Sequence, residues 1–262
     1  MTTIRDVELA VTDRGSGPAF LWGHGLTGST AQDGRNGMFD WDRLARRHRI
    51  VRWDARGHGE SAGTPDADEY RWDNLALDLL ALADALGVER FVTGGVSMGA
   101  ATALHAAVAA PRRIDALVLV LAPTAYETRA AQATQYRGGA TLIEKRGVGA
   151  YVARAGTQPV PDILRSVADL YRFVPAVEEA LLPAVLRGAA ASDLPSPDAV
   201  EGLSQPTLLL AWETDPGHPV STSERLAELL PHTELVVARR LRELASWTDR
   251  IESFLDSVAA PA

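Results

Sequence analysis

Short apolar runs recur along the chain and alternate with segments in which apolar residues keep helical spacing. The runs that predict strands are residues 18–22, 49–53, 90–94, 114–121, 206–212 and 234–237. Leu75, Leu79 and Leu86 mark one face of a predicted helix over residues 71–86. Near the N-terminus, residues 7–12 and the strand to Trp22 flank a glycine-containing turn, which predicts a hairpin. The alternation indicates an α/β fold with a mostly parallel sheet flanked by helices.

The alternation is interrupted once, between residues 124 and 205, where the pattern is mostly helical. Breaks are predicted at Gly138-Gly139, Gly147, residues 159–161, Pro183 and residues 193–197. Because this segment lies between two core strands, it predicts a helical cap, or lid, over a cleft, with residues 1–123 and 206–262 forming the core. We expect its aromatic side chains mostly to pack the cap on the core, with one or two lining a pocket: Tyr126, Tyr136, Tyr151, Tyr171 and Phe173.

The pentapeptide Gly95-Val96-Ser97-Met98-Gly99 joins a predicted strand to an Ala-rich helix that ends before Pro111. A strand-to-helix turn this tight leaves no room for Cβ atoms on its flanks, which explains the two glycines. The serine is held in a strained, exposed position at the helix N-terminus, where free N–H groups point toward anything bonded to it. Ser97 is therefore a candidate nucleophile.

A glycine-rich loop, Gly23-His24-Gly25-Leu26-Thr27-Gly28, follows the strand that ends at Trp22. Such a loop allows the backbone to approach a cleft closely, so we expect His24 and Gly25 to border the substrate. A site of this kind stabilises an oxyanion with one N–H from the residue after the nucleophile and one from an earlier loop. These donors are predicted at Met98 and Leu26.

Four features together resemble the α/β-hydrolase superfamily over nearly the whole chain. They are the His24-Gly25 loop, the turn over residues 54–61, the Ser97 elbow and the strand at residues 206–212 that leads to Asp215. Members of this family carry a catalytic triad in the chain order serine, acid, histidine. The resemblance therefore implies an α/β-hydrolase fold, with Asp215 as the acid of the triad.

The sequence departs from the family pattern because no histidine follows His232, and Arg242-Glu243 stands about where a Gly-His pair would fall. Loss of the histidine of a serine protease triad costs about 10⁶ in kcat, so an unreplaced base would leave almost no hydrolase. His218, which follows Asp215 in a loop at the end of a strand, is the first candidate for a relocated base. His24 is the second, and the Glu243 carboxylate or no base at all are further alternatives. The remaining histidines read as structural or solvated: His48, His58, His105 and His232.

Composition narrows the classes of function further. The chain has 262 residues, 46% of them hydrophobic, which is enough for one large core. A net charge of −8 argues against nucleic acid and anionic membrane surfaces as partners. There is no cysteine, no apolar N-terminal signal and no motif for a phosphate, dinucleotide or zinc ion. We therefore expect a soluble cytoplasmic protein without cofactor or metal; the pattern indicates no particular oligomeric state.

The expected activity is hydrolysis of a small, largely neutral or apolar ester, lactone or related carbonyl compound. In this hypothesis Ser97 attacks, the Leu26 and Met98 N–H groups stabilise the oxyanion, and Asp215 orients His218. Two alternatives remain open at this point. One is a non-hydrolytic enzyme of the same fold, such as a cyclase or lyase, and the other is a small-molecule-binding receptor without catalysis.

Overall fold

The computed structural model describes residues 1–171 and 173–259. Its strands are β1 (Thr2–Ile4), β2 (Val7–Leu9), β3 (Val11–Arg14), β4 (Ala19–Gly23), β5 (Arg49–Trp53), β6 (Phe91–Val96), β7 (Ile114–Val120), β8 (Thr207–Trp212) and β9 (Thr233–Ala238). Seven of them form one sheet in the order β3-β5-β4-β6-β7-β8-β9, parallel except for β3. The predicted α/β fold with a mostly parallel sheet is confirmed.

Helices cover both faces of this sheet. They are α1 (Thr30–Asn36), α2 (Trp41–Leu44), α3 (Trp72–Ala85), α4 (Met98–Ala109), α5 (Arg129–Ala155), α6 (Leu182–Ala190), α7 (Pro197–Glu201), α8 (Val220–Leu229), α9 (Leu241–Leu244) and α10 (Trp247–Ala259). Strand residues alternate between two cores, so that Leu117 and Leu119 pack with α3, α4 and α8. Val118 and Val120 pack on the other face, with α2, α9 and α10.

The predicted N-terminal hairpin is wrong. β3 pairs antiparallel with β5, whereas β4 lies on the far side of β5 and runs parallel to it. The turn between β3 and β4 passes against the loop before β5, and a Cβ at Gly15 would lie 2.3 Å from the carbonyl oxygens of Ala45 and His48. The glycine thus permits a close crossing between loops, and β2 takes β1 as its antiparallel partner instead.

The segment between β7 and β8 is mostly helical, as predicted, but two expected breaks are absent. α5 continues through Gly138-Gly139, where a Cβ at Gly139 would lie 2.9 Å from Tyr151, so this glycine serves packing. Pro183 lies in the first turn of α6, a position that needs no N–H donor, and therefore begins a helix. The break at Gly147 is confirmed, with φ 79° and ψ 168°.

Buried contacts attach this segment to the core. Arg129, at the start of α5, is buried and stacks on the ring of Trp72 in α3, with its guanidinium carbon 4.2 Å from the ring centroid. Its guanidinium also donates to the carbonyl oxygen of Ala189, within α6, and to that of Ser192, which follows α6.

Within the described residues, no helix is both long and apolar enough to cross a bilayer. The expectation for the Tyr171 side chain lies outside what the structure describes.

Candidate active site

Ser97 occupies the strained turn between β6 and α4. Its backbone has φ 54° and ψ −109°, outside the regions that L-residues ordinarily adopt. A Cβ at Gly95 would lie 2.4 Å from the carbonyl oxygen of Gly23, and one at Gly99 would lie 2.1 Å from the same oxygen. The two glycines therefore let the end of β4 pass directly beneath the turn, which places the serine at the carboxyl end of the sheet.

His218 lies between Ser97 and Asp215. Its Nε2 is 2.9 Å from Ser97 Oγ, and its Nδ1 is 2.9 Å from Asp215 Oδ2. An ionised carboxylate only accepts hydrogen bonds, so in the neutral imidazole the proton belongs on Nδ1 and the lone pair of Nε2 faces the serine hydroxyl. The structure thus brings the candidate nucleophile to a candidate base that lies 121 residues later in the chain. The candidate acid lies only three residues before that base.

A compact turn after β8 carries both the acid and the imidazole. Asp215 accepts a hydrogen bond from the Gly217 N–H on Oδ1 at 3.0 Å, and its carbonyl accepts one from the His218 N–H at 3.1 Å. Pro216 fixes φ inside the turn, and Pro219 stands at the N-terminal boundary of α8. These local bonds fold the chain back within three residues, which allows one turn to present both side chains.

The Asp215 carboxylate is held in its ionised form. Burial by itself would raise its pKa, but hydrogen bonds from His218, from the Trp212 indole N–H and from the Gly217 N–H lower the pKa to about 2. The Trp212 Nε1 lies 2.8 Å from Asp215 Oδ2. A negative charge at this position favours the proton on His218 Nδ1 and stabilises the imidazolium that forms when Nε2 accepts a second proton.

The two residues predicted to donate to an oxyanion follow a glycine beside the serine and the serine itself. A Cβ at Gly25 would lie 3.7 Å from Ser97 Cβ, so the glycine loop runs alongside the nucleophile. The next residue, Leu26, packs its side chain against the main core and against residues of α5 and α6. Met98 is the first residue of α4. In the described part of the chain, neither the Leu26 nor the Met98 N–H donates a hydrogen bond to a protein acceptor.

Comparisons with known proteins show to which family the chain belongs. Residues 18–138 match the family model described as alpha/beta hydrolase fold. RutD of Agrobacterium fabrum, named as a candidate carbamate hydrolase, is 31% identical over 226 residues, which cover 83% of this chain and 83% of that protein. The chain belongs to the α/β-hydrolase superfamily. Another relative, 3-oxoadipate enol-lactonase 2 of Acinetobacter baylyi, is 29% identical over 198 residues, which cover 72% of this chain and 69% of that protein.

Solved α/β-hydrolase structures superpose over almost the full length. A thermophilic esterase from Thermogutta terrifontis has a TM-score of 0.80 and 25% identity, with 98% of each chain covered. The enol-lactonase from Burkholderia xenovorans LB400 has a TM-score of 0.76 at 19% identity, with 98% of each chain covered, and shares the fold. These comparisons support a hydrolase of this fold.

His24 does not lie where we expected a substrate-contacting residue. The residue is only 1% exposed. Its Nε2 accepts a hydrogen bond from the Ala55 N–H at 3.0 Å, and its Nδ1 is 2.8 Å from the Gly25 carbonyl oxygen. Both ring nitrogens are therefore committed to backbone groups, and neither is free for substrate or for Ser97. In this α/β-hydrolase the side chain of His24 orders its own loop, because it ties the ends of β4 and β5 together.

The position where α/β-hydrolases usually carry their histidine has a different use in this chain. Glu243 Oε2 accepts from the Arg239 N–H at 2.8 Å and from the Arg240 N–H at 3.3 Å. The carboxylate thus closes the loop between β9 and α9 and does not face Ser97 as a base. Of the other histidines, His48 pairs with Asp256, His105 bonds the Asp193 carbonyl, His58 is buried and His232 is exposed.

Sequence reasoning missed Trp212 as part of this site. The residue reads as the last apolar position of a buried strand, and its ring is indeed buried. Nothing in the residue pattern shows that its indole N–H turns toward a carboxylate three positions later. The one sequence signal is that Trp212 lies three residues before Asp215. This spacing indicates a contact only once the conformation of the turn after β8 is known.

Proposed function

We propose that the protein hydrolyses a small ester, lactone or related carbonyl compound through an acyl-enzyme on Ser97. The observation that carries this proposal is the continuous hydrogen-bonded chain from Ser97 Oγ through both nitrogens of His218 to Asp215 Oδ2. An unassisted serine hydroxyl is a poor nucleophile at neutral pH, and an adjacent oriented base is what activates it. Two relatives are named for hydrolysis of a lactone and, as a candidate, of a carbamate, which are carbonyl compounds of the same broad chemistry.

The proposed reaction proceeds in two halves. Ser97 Oγ attacks the substrate carbonyl while His218 Nε2 takes the hydroxyl proton, and the resulting oxyanion accepts hydrogen bonds from the Leu26 and Met98 N–H groups. When the tetrahedral intermediate collapses, the C–O bond to the leaving alkoxide breaks and His218 returns the proton to that oxygen. Water then attacks the acyl-enzyme, and His218 again takes the proton from the attacking oxygen and returns it to the leaving one. This step releases the acid product and restores the serine.

We propose that the segment 124–205 serves as the cap of this site. It is attached to three loops at the carboxyl end of the sheet, where clefts of α/β folds lie. The Ala176 N–H donates to the Thr27 carbonyl at 2.7 Å, and the Gly59 N–H donates to the Ala176 carbonyl at 2.7 Å. The Asp162 N–H donates to Thr214 Oγ1 at 2.8 Å, next to the acid. A cap of this size over the carboxyl end of the sheet suits a small molecule better than a protein substrate.

A covalent label tests the proposal without knowledge of the natural substrate. The purified protein is incubated with a serine-directed phosphonate and, separately, with short-chain acyl p-nitrophenyl esters. We expect stoichiometric labelling at Ser97 and ester turnover, with both lost in Ser97→Ala. Labelling at another residue would contradict Ser97 as the nucleophile. Absence of both labelling and turnover, in a folded protein that still binds small carbonyl compounds, would favour the cyclase, lyase or receptor alternatives.

A further inference from the structure

Trp212 contacts the same carboxylate oxygen as the candidate base. Asp215 Oδ2 accepts from the Trp212 indole N–H at 2.8 Å and from His218 Nδ1 at 2.9 Å, while Oδ1 accepts from the backbone N–H of Gly217 at 3.0 Å. The residue is the last of β8 and is only 4% exposed. Its N–H therefore reaches the carboxylate from the rigid sheet, whereas the other two donors belong to the turn itself.

The Trp212 indole packs in a stack of aromatic rings. The Trp212 ring lies 6.0 Å from that of Trp247 with an interplanar angle of 18°, and Trp247 in turn stacks on Phe39 at 6.4 Å and 21°. Trp247 is fully buried, and its own Nε1–H has no hydrogen-bond acceptor among the described residues. The two indoles thus pack in the same stack. Of the two, only Trp212 donates its N–H to a carboxylate.

We propose that Trp212 is a positioning residue that holds Asp215 in the orientation at which its Oδ2 faces His218. This inference rests on the proposed function. Without the indole, Oδ1 would be held by the Gly217 N–H and Oδ2 by His218, both of which belong to the same turn as the carboxylate, so the indole is the one of these three donors that ties the carboxylate to the sheet. Asp215 and His218 lie in one turn, so no separate loop fixes the position of one relative to the other. The hydrogen bond from the Trp212 indole connects the Asp215 carboxylate to the sheet and supplies that constraint.

Matched substitutions separate the hydrogen bond from the packing. Trp212→Phe and Trp247→Phe both exchange a buried indole for a smaller ring in the same stack, but only the first removes a donor from Asp215. We expect Trp212→Phe to lower kcat by about 10-fold to 100-fold with KM changed less than about threefold, since a misplaced catalytic group affects the transition state more than binding. Trp247→Phe is expected to keep kcat within about threefold.

The pH profile gives a readout that a packing defect alone does not move. Without the indole N–H, more of the negative charge on Asp215 Oδ2 faces His218 and stabilises the imidazolium, which is unable to take the Ser97 proton. The acid limb of kcat/KM is therefore expected to shift to higher pH in Trp212→Phe and to stay in place in Trp247→Phe. Equal losses in the two variants with unshifted profiles would overturn the positioning role, as would unchanged kinetics in Trp212→Phe. If Ser97→Ala and His218→Ala retain turnover, the proposed function itself fails, which is a distinguishable result.

Nuclear magnetic resonance provides a second measurement that does not require Trp212→Phe to fold. In protein with ¹⁵N-labelled indoles, the Trp212 Nε1–H resonance is compared between the wild type and Asp215→Ala. We expect this resonance to move upfield when its acceptor is removed, while the Trp247 resonance stays within a few hundredths of a ppm in the proton dimension. No movement of the Trp212 resonance, or equal movement of both, contradicts the assigned hydrogen bond.

Discussion

His218 Nδ1 lies 2.9 Å from Asp215 Oδ2 although only two residues separate them, so one turn after β8 holds both the candidate acid and the candidate base. In the family pattern that the sequence resembles, the histidine follows the last strand of the sheet and comes from a separate loop. Here that loop ends in α9, and Glu243 caps it through two backbone N–H groups. We propose that the function of that histidine has moved to His218, next to the candidate acid.

The first prediction concerns the relocated base. His218→Ala is expected to lower kcat/KM on the best p-nitrophenyl ester by at least about 10³-fold, as severely as Ser97→Ala, because members of a catalytic unit are not additive. The double variant should be no worse than either single one. Glu243→Gln is the matched control, since glutamine still accepts the backbone hydrogen bonds, and we expect it to stay within about threefold. A His218→Ala protein that keeps most of its activity would place the base elsewhere.

A second prediction concerns the Asp215 carboxylate. Asp215→Asn is expected to lower kcat by roughly 10³-fold to 10⁴-fold, because the amide no longer favours the proton on His218 Nδ1 and the lone pair of Nε2 is lost to Ser97. Glu213→Gln changes a neighbouring carboxylate that pairs with Arg239 on the surface, and it should leave turnover within about twofold. The measurement is steady-state kinetics on one ester for both variants. Similar losses in the two would indicate a general charge effect.

A third prediction tests the close approach beneath the nucleophile turn. Gly99→Ala would place a Cβ 2.1 Å from the Gly23 carbonyl oxygen, so β4 or the turn must shift, and we expect a loss of roughly 2 to 4 kcal/mol in the free energy of unfolding together with the loss of activity. Gly149→Ala is the control, because this exposed helical glycine has nothing within 4 Å of the added methyl. It should be neutral or stabilise by up to about 1 kcal/mol. Urea denaturation of both variants is the measurement.

A fourth prediction concerns stability in acid. Burial, with a smaller effect of the nearby His24, lowers the pKa of His58 from 6.5 to about 3. Between these values the unfolded chain binds a proton at this side chain and the folded chain does not, so His58 makes the free energy of unfolding fall as pH drops from about 6.5 toward 3. The slope from one proton is at most about 1.4 kcal/mol per pH unit.

Urea midpoints measured from pH 7 to pH 4.5 test this expectation. His58→Gln should be less stable at pH 7, because a polar group is exchanged in a tightly packed site, but its stability should fall less steeply in acid than that of the wild type. His232→Gln is the control at an exposed histidine and should keep the wild-type slope. If His58→Gln and the wild type lose stability in parallel, protonation of His58 is not what limits acid stability.

Several elements of this protein follow from the sequence alone. The two glycines around Ser97 predict a tight strand-to-helix turn with close backbone contacts. The structure shows those contacts at the Gly23 carbonyl. The apolar runs predict the core strands to within about two residues, because continuous burial on both faces leaves a local signature in the residue pattern. The predicted N-terminal hairpin is wrong because the pairing partner of β3 depends on the arrangement of the whole sheet. No local sequence signal indicates that β3 pairs with β5.

Only the tertiary structure decided between the candidate histidines. By sequence, His218 and His24 were both plausible neighbours of Ser97, and their roles differ because of what each ring nitrogen meets. The nitrogens of His24 meet the Ala55 N–H and the Gly25 carbonyl, whereas those of His218 meet a serine hydroxyl and a carboxylate. Two of those partners, the Ala55 N–H and the Ser97 hydroxyl, follow β5 and β6 and are distant in sequence from the histidines that they meet. Residue type sets which hydrogen bonds a side chain is able to make, and the fold sets which partners are within reach.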